Sequence, residues 1–402
     1  MTTDATAQTE PAPTLLTGRL VTDGGLVPDG AVVVMGDRIA WSGARGELPA
    51  QFRSAATPVG WRDDLTLLPG LVDIHCHGGG GGEFGPDASA AGPAVAHHHR
   101  NGTTSLVASL VSAPRETMLA GIEALVPRAT AGDLAGIHLE GPFLSHARCG
   151  AQDPEALGDP DPAFVDAAGE AAQGWLAQMT FAPELAGAGA VPAALARWGA
   201  LAAVGHTDAE WSVAAAALAG AGDGVRGGRP LVTHLFNGMP PLHHRAPGPV
   251  AAALAAAARG EAVVEVIADG VHLADGTVRM VFDTVGAHNI ALVSDAMAAA
   301  GLPEGDYTLG RFDVRVSGRE ARLVPGGSLA GGVSTLLEQV RWLVQDLRVS
   351  LEDAVTAASL TPATALALDG VGSLTAGNLA DVVVVDGSLQ LKRVMRRGDW
   401  LD

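Results

Sequence analysis

Eight short apolar runs separated by helix-like stretches constrain this chain more than any other feature. They are Leu71 to Ile74, Thr104 to Leu110, Leu134 to Leu139, Met179 to Ala182, Leu201 to Val204, Pro230 to Val232, Val263 to Ile267 and Ile290 to Val293. Runs this short and apolar read as strands buried on both faces. Between most of them lie stretches with helix N-caps: Ser112 precedes Pro114-Arg115-Glu116, and Thr207-Asp208 precedes Ala209 to Ala219. Two more helical stretches, Leu336 to Gln345 and Leu351 to Ala358, follow. Eight buried strands alternating with helices predict an α/β fold, a TIM-like (β/α)8 barrel, over residues 64–364.

The two ends read differently. Leu15 to Val21, Ala31 to Trp41, Leu379 to Val385 and Leu391 to Met395 are β-like, with turns at Asp23-Gly24-Gly25, Asp29-Gly30 and Asp386-Gly387. Neither end alone makes a core. Residues 13–63 and 365–402 are therefore expected to form one small β-sandwich domain, and residues 1–12 a flexible tail.

Bulk properties exclude some functions. A net charge of −19 repels nucleic acid and anionic membrane, so neither is expected as a partner. The only cysteines, Cys76 and Cys149, do not make a disulfide framework, which points to the cytoplasm. Residues 1–13 lack a signal-peptide pattern. The apolar stretch Val250 to Ala258 is cut short by Arg259 and Glu261, too soon to span a bilayer. His97-His98-His99 ends a helical stretch and is read as surface. Cys149 is read as a free thiol in a loop.

In a barrel of this kind the active site lies at the C-terminal ends of the strands. Polar residues collect there: Asp73-Ile74-His75-Cys76-His77, His138-Leu139-Glu140, Gly205-His206-Thr207-Asp208, Thr233-His234 and Ser294-Asp295. Residues two apart on a strand share a face, so His75 and His77 point inward together and Cys76 points toward the helices. An HxH alone is equally readable as a hydrogen-bonded pair in a loop. Five such positions at five strand ends, all of metal-ligating types, instead predict a divalent metal centre. The donor set favours Zn²⁺, although Fe²⁺, Mn²⁺ or Co²⁺ also suits it. A divalent ion lowers the pKa of a bound water to about 7. Asp295 can take its proton and pass it to the leaving group. The expected reaction is hydrolysis of an amide, ester or ring C–N bond.

These motifs resemble the amidohydrolase superfamily. Many of its members bridge two ions with a carbamylated lysine, but the only lysine here is Lys392, in the C-terminal β-region. Glu140 is the remaining candidate bridge. Within the superfamily the chain resembles the N-acetylglucosamine-6-phosphate deacetylase family. The resemblance rests on Pro69 to His75, His138 to Phe143, Gly205 to Ala209, Thr233 to Pro240, Ala268 to His272, Leu292 to Ala296 and Gly327 to Gly331. It implies a role in amino-sugar catabolism and cell-wall sugar recycling. Glu140, His206 and His234 would hold the principal ion. His75 and His77, with Glu140 and Asp295, would make a second site, giving one or two ions per subunit. Asp295 would act as base and then acid, and His272 would polarise the acetyl carbonyl and touch the sugar. Asn237, the Gly238 backbone and Arg245 would receive the phosphosugar, with Leu329 and Ala330 closing over it. In the family this arginine reaches across a dimer interface, so a homodimer is implied. Gln152 stands where some relatives carry His, which leaves open a deacetylase of another N-acyl sugar phosphate, such as N-acetylgalactosamine 6-phosphate. A barrel that has lost catalysis and serves in assembly is a further alternative.

Overall fold

The computed structural model describes residues 11–220 and 228–401. The tail expected over 1–12 lies outside them except for Pro11 and Ala12. The chain divides into two compact units. One runs to Gly70 and resumes at Ser373; the other is Leu71–Gly372.

The second unit contains eight parallel strands: β1 (Leu71–Cys76), β2 (Thr103–Leu110), β3 (Gly136–Glu140), β4 (Leu176–Phe181), β5 (Leu201–Val204), β6 (Leu231–Val232), β7 (Val263–Val266) and β8 (Ile290–Leu292). They hydrogen-bond in sequence order from β1 to β8. Beyond β8 the chain returns to β1, where Asp295 N donates to His75 O at 2.9 Å and His77 N to Ala296 O at 2.8 Å. These bonds nearly close a TIM-like barrel. The eight expected runs supply its eight strands.

Nearly every residue of these strands is buried. Val72, Ile74, Val107, Leu201, Ala203, Leu231, Val263, Ala291 and Val293 join one apolar core together with Ala363 and Ala365. Ala365 thus belongs to the barrel core, and the second unit runs past residue 364 to Gly372. The same strands also bury Asp73, His75, His138, Glu140, Gln178, Thr180 and Glu265. Buried polar groups need partners, and these form bonded chains. His138 lies 2.9 Å from Ser109 Oγ and 2.8 Å from Thr180 Oγ1, which in turn lies 2.8 Å from Thr233 Oγ1.

Two local expectations need correction. His98 and His99 are buried, not surface residues. His98 Nε2 donates to Gly78 O at 2.8 Å, and the His99 ring bonds the carbonyls of Thr103 and Asp133, so the histidines anchor the helix Ala91–Arg100. Cys76 does point to that helix, its Sγ 3.1 Å from His98 Nε2. Ser112 does not cap the helix Arg115–Thr130, whose N-cap is Pro114 without a side-chain bond. The Ser112 hydroxyl donates to Glu140 O at 2.8 Å instead.

Between the end of β8 and the helix Leu336–Gln345 sits an antiparallel three-stranded sheet, Gly305–Leu309, Phe312–Ser317 and Glu320–Val324.

The terminal unit is one seven-stranded, mostly antiparallel sheet. Its order is Asp399–Leu401, Leu391–Arg396, Val382–Val385, Thr66–Pro69, Thr14–Thr22, Gly25–Met35, Arg38–Ala44. Thr66–Pro69 pairs with both Val382–Val385 and Thr14–Thr22, which carries this unit past residue 63. The run Ala31 to Trp41 is two strands, broken where Gly36 takes a left-handed φ of +58°. Alternate residues serve two cores, with Leu16, Val32 and Val34 in one and Leu15, Ala31 and Val33 in the other. Lys392 lies on this sheet and pairs with Asp386. Among the described residues no helix is long and apolar enough to cross a membrane.

Candidate active site

The strand ends bring two triads together. Glu140, His206 and His234 form one; His75, His77 and Asp295 form the other. In the first, Glu140 Oε1 lies 3.0 Å from His206 Nε2 and 2.9 Å from His234 Nε2, and the two nitrogens are 3.1 Å apart. In the second, His75 Nε2 and His77 Nε2 are 3.2 Å apart, and Asp295 Oδ1 lies 3.5 Å and 3.4 Å from them. Glu140 joins the two. Its Oε1 is 3.6 Å from His75 Nε2 and its Oε2 is 3.1 Å from His77 Nε2. Glu140 therefore stands within reach of both triads.

The donor set fits a divalent metal. Tetrahedral Zn–N bonds of about 2.0–2.1 Å put neighbouring donors roughly 3.3 Å apart. His206 Nδ1 donates to Arg148 O at 2.7 Å, and His77 Nδ1 to Ser109 O at 3.1 Å. That tautomer leaves each Nε2 lone pair facing inward. Lone pairs gathered this closely repel unless a cation stands among them. The charges agree. Burial disfavours a charged His75, yet Glu265, Asp295 and Glu140 outweigh it and hold the imidazole well above its usual value. His77 is likewise burdened by burial and pushed up to about 9 by Asp295 and Glu140. Against its own burial, Asp295 is held down to about 2 by His75 and His77. A field that retains protons here also attracts a metal cation.

Local backbone aims these groups. His206, His234 and Asp295 have φ of +45°, +26° and +45°. Left-handed conformations are costly for such residues and cluster at functional sites. Each occurs two or three residues past a strand, where the turn directs the side chain over the barrel mouth. The loop after β3 folds back over the same mouth. Its Ser145 N donates to His206 O at 2.9 Å, and Arg148 pairs with Asp208 at 2.7 Å. Gln152 accepts from Ser112 N at 2.8 Å and donates to Glu140 Oε2.

A cavity of about 220 Å³ opens above the triads. Glu140, Gln152, His206, His234, Asn237, Gly238, His272, Asp295 and Leu329 line it, as does His77. His272 is fixed by Asp269, whose Oδ2 lies 2.8 Å from His272 Nδ1. Burial lowers the affinity of His272 for a proton, but Asp269 outweighs it and raises the imidazole above its usual value.

Two of the expected residues lie elsewhere. Ala330 is buried in the core of the three-stranded sheet, and its neighbours Leu329 and Gly331 reach the cavity. Arg245 is exposed, with Nη1 2.7 Å from His244 Nε2, and is not part of the cavity lining. Sequence reasoning missed Asp269, Ser109 and Glu265. A carboxylate interrupting the apolar run Val263 to Ile267 was the available signal for the last.

A metal-dependent hydrolase is the class that this barrel and this paired donor set define. The pattern of the amidohydrolase family matches residues 66–401, and the chain belongs to that family. It is 34% identical over 343 residues to N-acetylglucosamine-6-phosphate deacetylase of Lysinibacillus sphaericus, covering 83% of this chain and 84% of that one. It is equally 34% identical over 343 residues to N-acetylgalactosamine-6-phosphate deacetylase of Escherichia coli O157:H7, covering 84% and 88%. The solved N-acetyl-D-glucosamine-6-phosphate deacetylase of Mycobacterium smegmatis matches with a TM-score of 0.88 at 38% identity, covering 97% of this chain and 100% of that one.

Proposed function

We propose that this enzyme hydrolyses N-acetyl-D-glucosamine 6-phosphate to D-glucosamine 6-phosphate and acetate. The observation that carries the reading is the bridged pair of triads under one small cavity also lined by Asn237, Gly238 and His272. A divalent ion held by Glu140, His206 and His234, with a second at His75, His77 and Asp295, would supply the Lewis acid that makes water nucleophilic near pH 7; Zn²⁺ suits these donors best.

The chain's own residues then divide the work. Asp295 takes a proton from the attacking water as its oxygen bonds to the acetyl carbon. His272, held by Asp269, donates to the carbonyl oxygen as negative charge develops there. The C–N bond breaks as Asp295 returns the proton to the amine nitrogen, releasing acetate. Asn237 and Gly238 stand where the phosphosugar is received, with Gln152 and Leu329 around it and Ala330 supporting Leu329 from behind. Arg245 would supply the phosphate cation from a second subunit, because its side chain is not in its own subunit's cavity. A guanidinium binds phosphate bidentately, which a chain of net charge −19 requires locally. This makes the working form a homodimer. A cytoplasmic setting agrees with Cys76 and Cys149 both being unpaired.

The N-acetylgalactosamine 6-phosphate reading is favoured by the equal identity to a relative of that specificity. A non-catalytic assembly role is disfavoured, since two buried groups of metal-ligating residues are gathered closely enough to hold ions. Acetate release from the two sugar phosphates, with elemental analysis of the protein, separates the readings. Faster turnover of the gluco compound is expected. Faster turnover of the galacto compound would overturn the assignment, and no acetate from either would restore the assembly reading.

A further inference from the structure

Three of the four histidines in the two triads have their Nδ1 tied. His75 Nδ1 lies 2.9 Å from Glu265 Oε2, His77 Nδ1 faces Ser109 O, and His206 Nδ1 faces Arg148 O. His234 differs. Its Nδ1 is buried and has no hydrogen-bond partner among the described residues. That ring is therefore aimed by Nε2, 2.9 Å from Glu140 Oε1, and by its backbone, which sits at the unfavourable φ of +26°. Asn237 N donates to His234 O at 2.9 Å, and on the other side the turn is held by one residue of β7. Glu265 Oε2 accepts from His234 N at 3.1 Å, and Glu265 O accepts from Leu235 N at 2.8 Å.

One carboxylate oxygen thus serves both triads. It orients the ring of His75 in one and the strained turn of His234 in the other. Glu265 is fully buried in β7, a strand otherwise composed of valine. Burying a carboxylate there costs several kcal/mol unless its bonds compensate. Its other oxygen, Oε1, has no hydrogen-bond partner among the described residues, so the bonds to His75 and His234 are what holds the side chain.

We propose that Glu265 is a positioning residue that couples the two metal half-sites. It fixes the His75 tautomer with Nε2 toward the site, and it holds the His234 turn so that its Nε2 meets Glu140 and His206. The inference rests on the metal-dependent reading of the site, though not on which sugar is the substrate. It requires Glu265 to influence the Glu140/His206/His234 ion even when His75 is gone.

The test is zinc affinity of the metal-depleted full-length protein, measured by competition with a chromophoric chelator. It compares wild type, Glu265→Gln and Glu265→Ala, each also combined with His75→Ala. Loss of such a partner typically weakens metal binding about 10- to 100-fold. Glu265→Ala should show a loss of that order both alone and in the His75→Ala background. Glu265→Gln keeps an acceptor oxygen in place without the charge, so its loss should be smaller and in the same direction. If Glu265→Ala does not fold, the Gln variant alone decides. Wild-type zinc affinity in a folded Gln or Ala variant would overturn the proposal. So would a loss that disappears in the His75→Ala background, since Glu265 would then serve His75 alone. A wild-type protein that binds zinc but releases no acetate would refute the deacetylase reading and leave this test intact. A wild-type protein that binds no zinc would remove the metal-dependent reading itself.

Discussion

Asp269 Oδ2 lies 2.8 Å from His272 Nδ1, and Asp269 Oδ1 accepts from the backbone N–H of both Val271 and His272. The carboxylate therefore fixes the ring and the turn that carries it. Its charge also keeps the imidazole protonated to higher pH than a free histidine. Below its raised pKa His272 can donate to the developing oxyanion; above it, the Asp269-facing N–H remains but the positive charge is lost. Asp269→Asn removes the charge that outweighs burial. The alkaline limb of kcat/KM should consequently move to lower pH, with a lower plateau. His272→Phe should lose on the order of 10²–10³ in kcat, the usual cost of an oxyanion donor. Steady-state pH profiles check both. An unmoved limb in Asp269→Asn would remove His272 protonation as its origin.

Asp295 stands at 3.4 Å and 3.5 Å from the two histidines of its triad, and its own N–H bonds His75 O. Asn tolerates the left-handed φ of +45° that this position requires. Asp295→Asn should therefore fold normally and keep the ion held by Glu140, His206 and His234. It cannot accept the proton of water, so kcat should fall by about 10²–10⁴. Acetate release and metal content on the same sample provide the check. Near-normal turnover would end its assignment as base.

Gln152 satisfies Ser112 N and Glu140 Oε2 at once and is buried. Only a side chain with both an acceptor and a donor can do this. Gln152→Ala leaves a buried N–H unmatched, a cost of about 1–3 kcal/mol, and frees Glu140 to turn. Gln152→Glu sets a second carboxylate against the bridge. Lower kcat/KM is expected in both, with Glu the worse. Calorimetric melting and steady-state kinetics would show it; a Glu variant as active as wild type would mean that Gln152 does not act through Glu140.

The proposed ligands were readable from the sequence because each stands at or just past the end of an apolar run, where a barrel exposes its mouth. His75 and His77 added the alternation of a strand, and the single lysine passed the bridge to Glu140. The supporting residues were hidden for the opposite reason. Glu265 lies inside a strand, where its pattern reads only as an interruption, and its two partners are 190 and 31 residues away. His98 and His99 looked like a surface tract because local composition cannot report that Gly78 and Thr103 present carbonyls to them. The strands of the three-stranded sheet are half-exposed, so they lack the apolar signature that marked the barrel.

Arg245 carries the phosphate assignment from outside its own subunit's cavity, and exposed Leu242 lies on the same loop. Arg245→Ala should raise KM for the phosphorylated sugar far more than for the unphosphorylated one. Its effect should vanish under dilution that separates subunits, since a monomer lacks the partner's arginine already. Kinetics across protein concentration, paired with sedimentation, measure this. Equal effects on both sugars would remove Arg245 from the phosphate site.

Gly238 gives the most local prediction. Its φ is +62°, and a Cβ there would stand 2.8 Å from His206 Nδ1 and 3.3 Å from Arg148 O. Those two atoms share the bond that sets the His206 tautomer. Gly238 O also accepts from Thr207 N at 3.0 Å, so this backbone and the His206 turn hold one another. Gly238→Ala must then push the His206 ring or the loop at Arg148 aside, and the added φ strain costs about 1–2 kcal/mol. With His206 proposed as a ligand of the principal ion, zinc affinity should drop together with the melting temperature of the metal-loaded enzyme. The metal-free protein should lose only the strain. Melting both forms of wild type and variant separates these effects, and an equal loss in the two forms would show that the added methyl leaves His206 where it is.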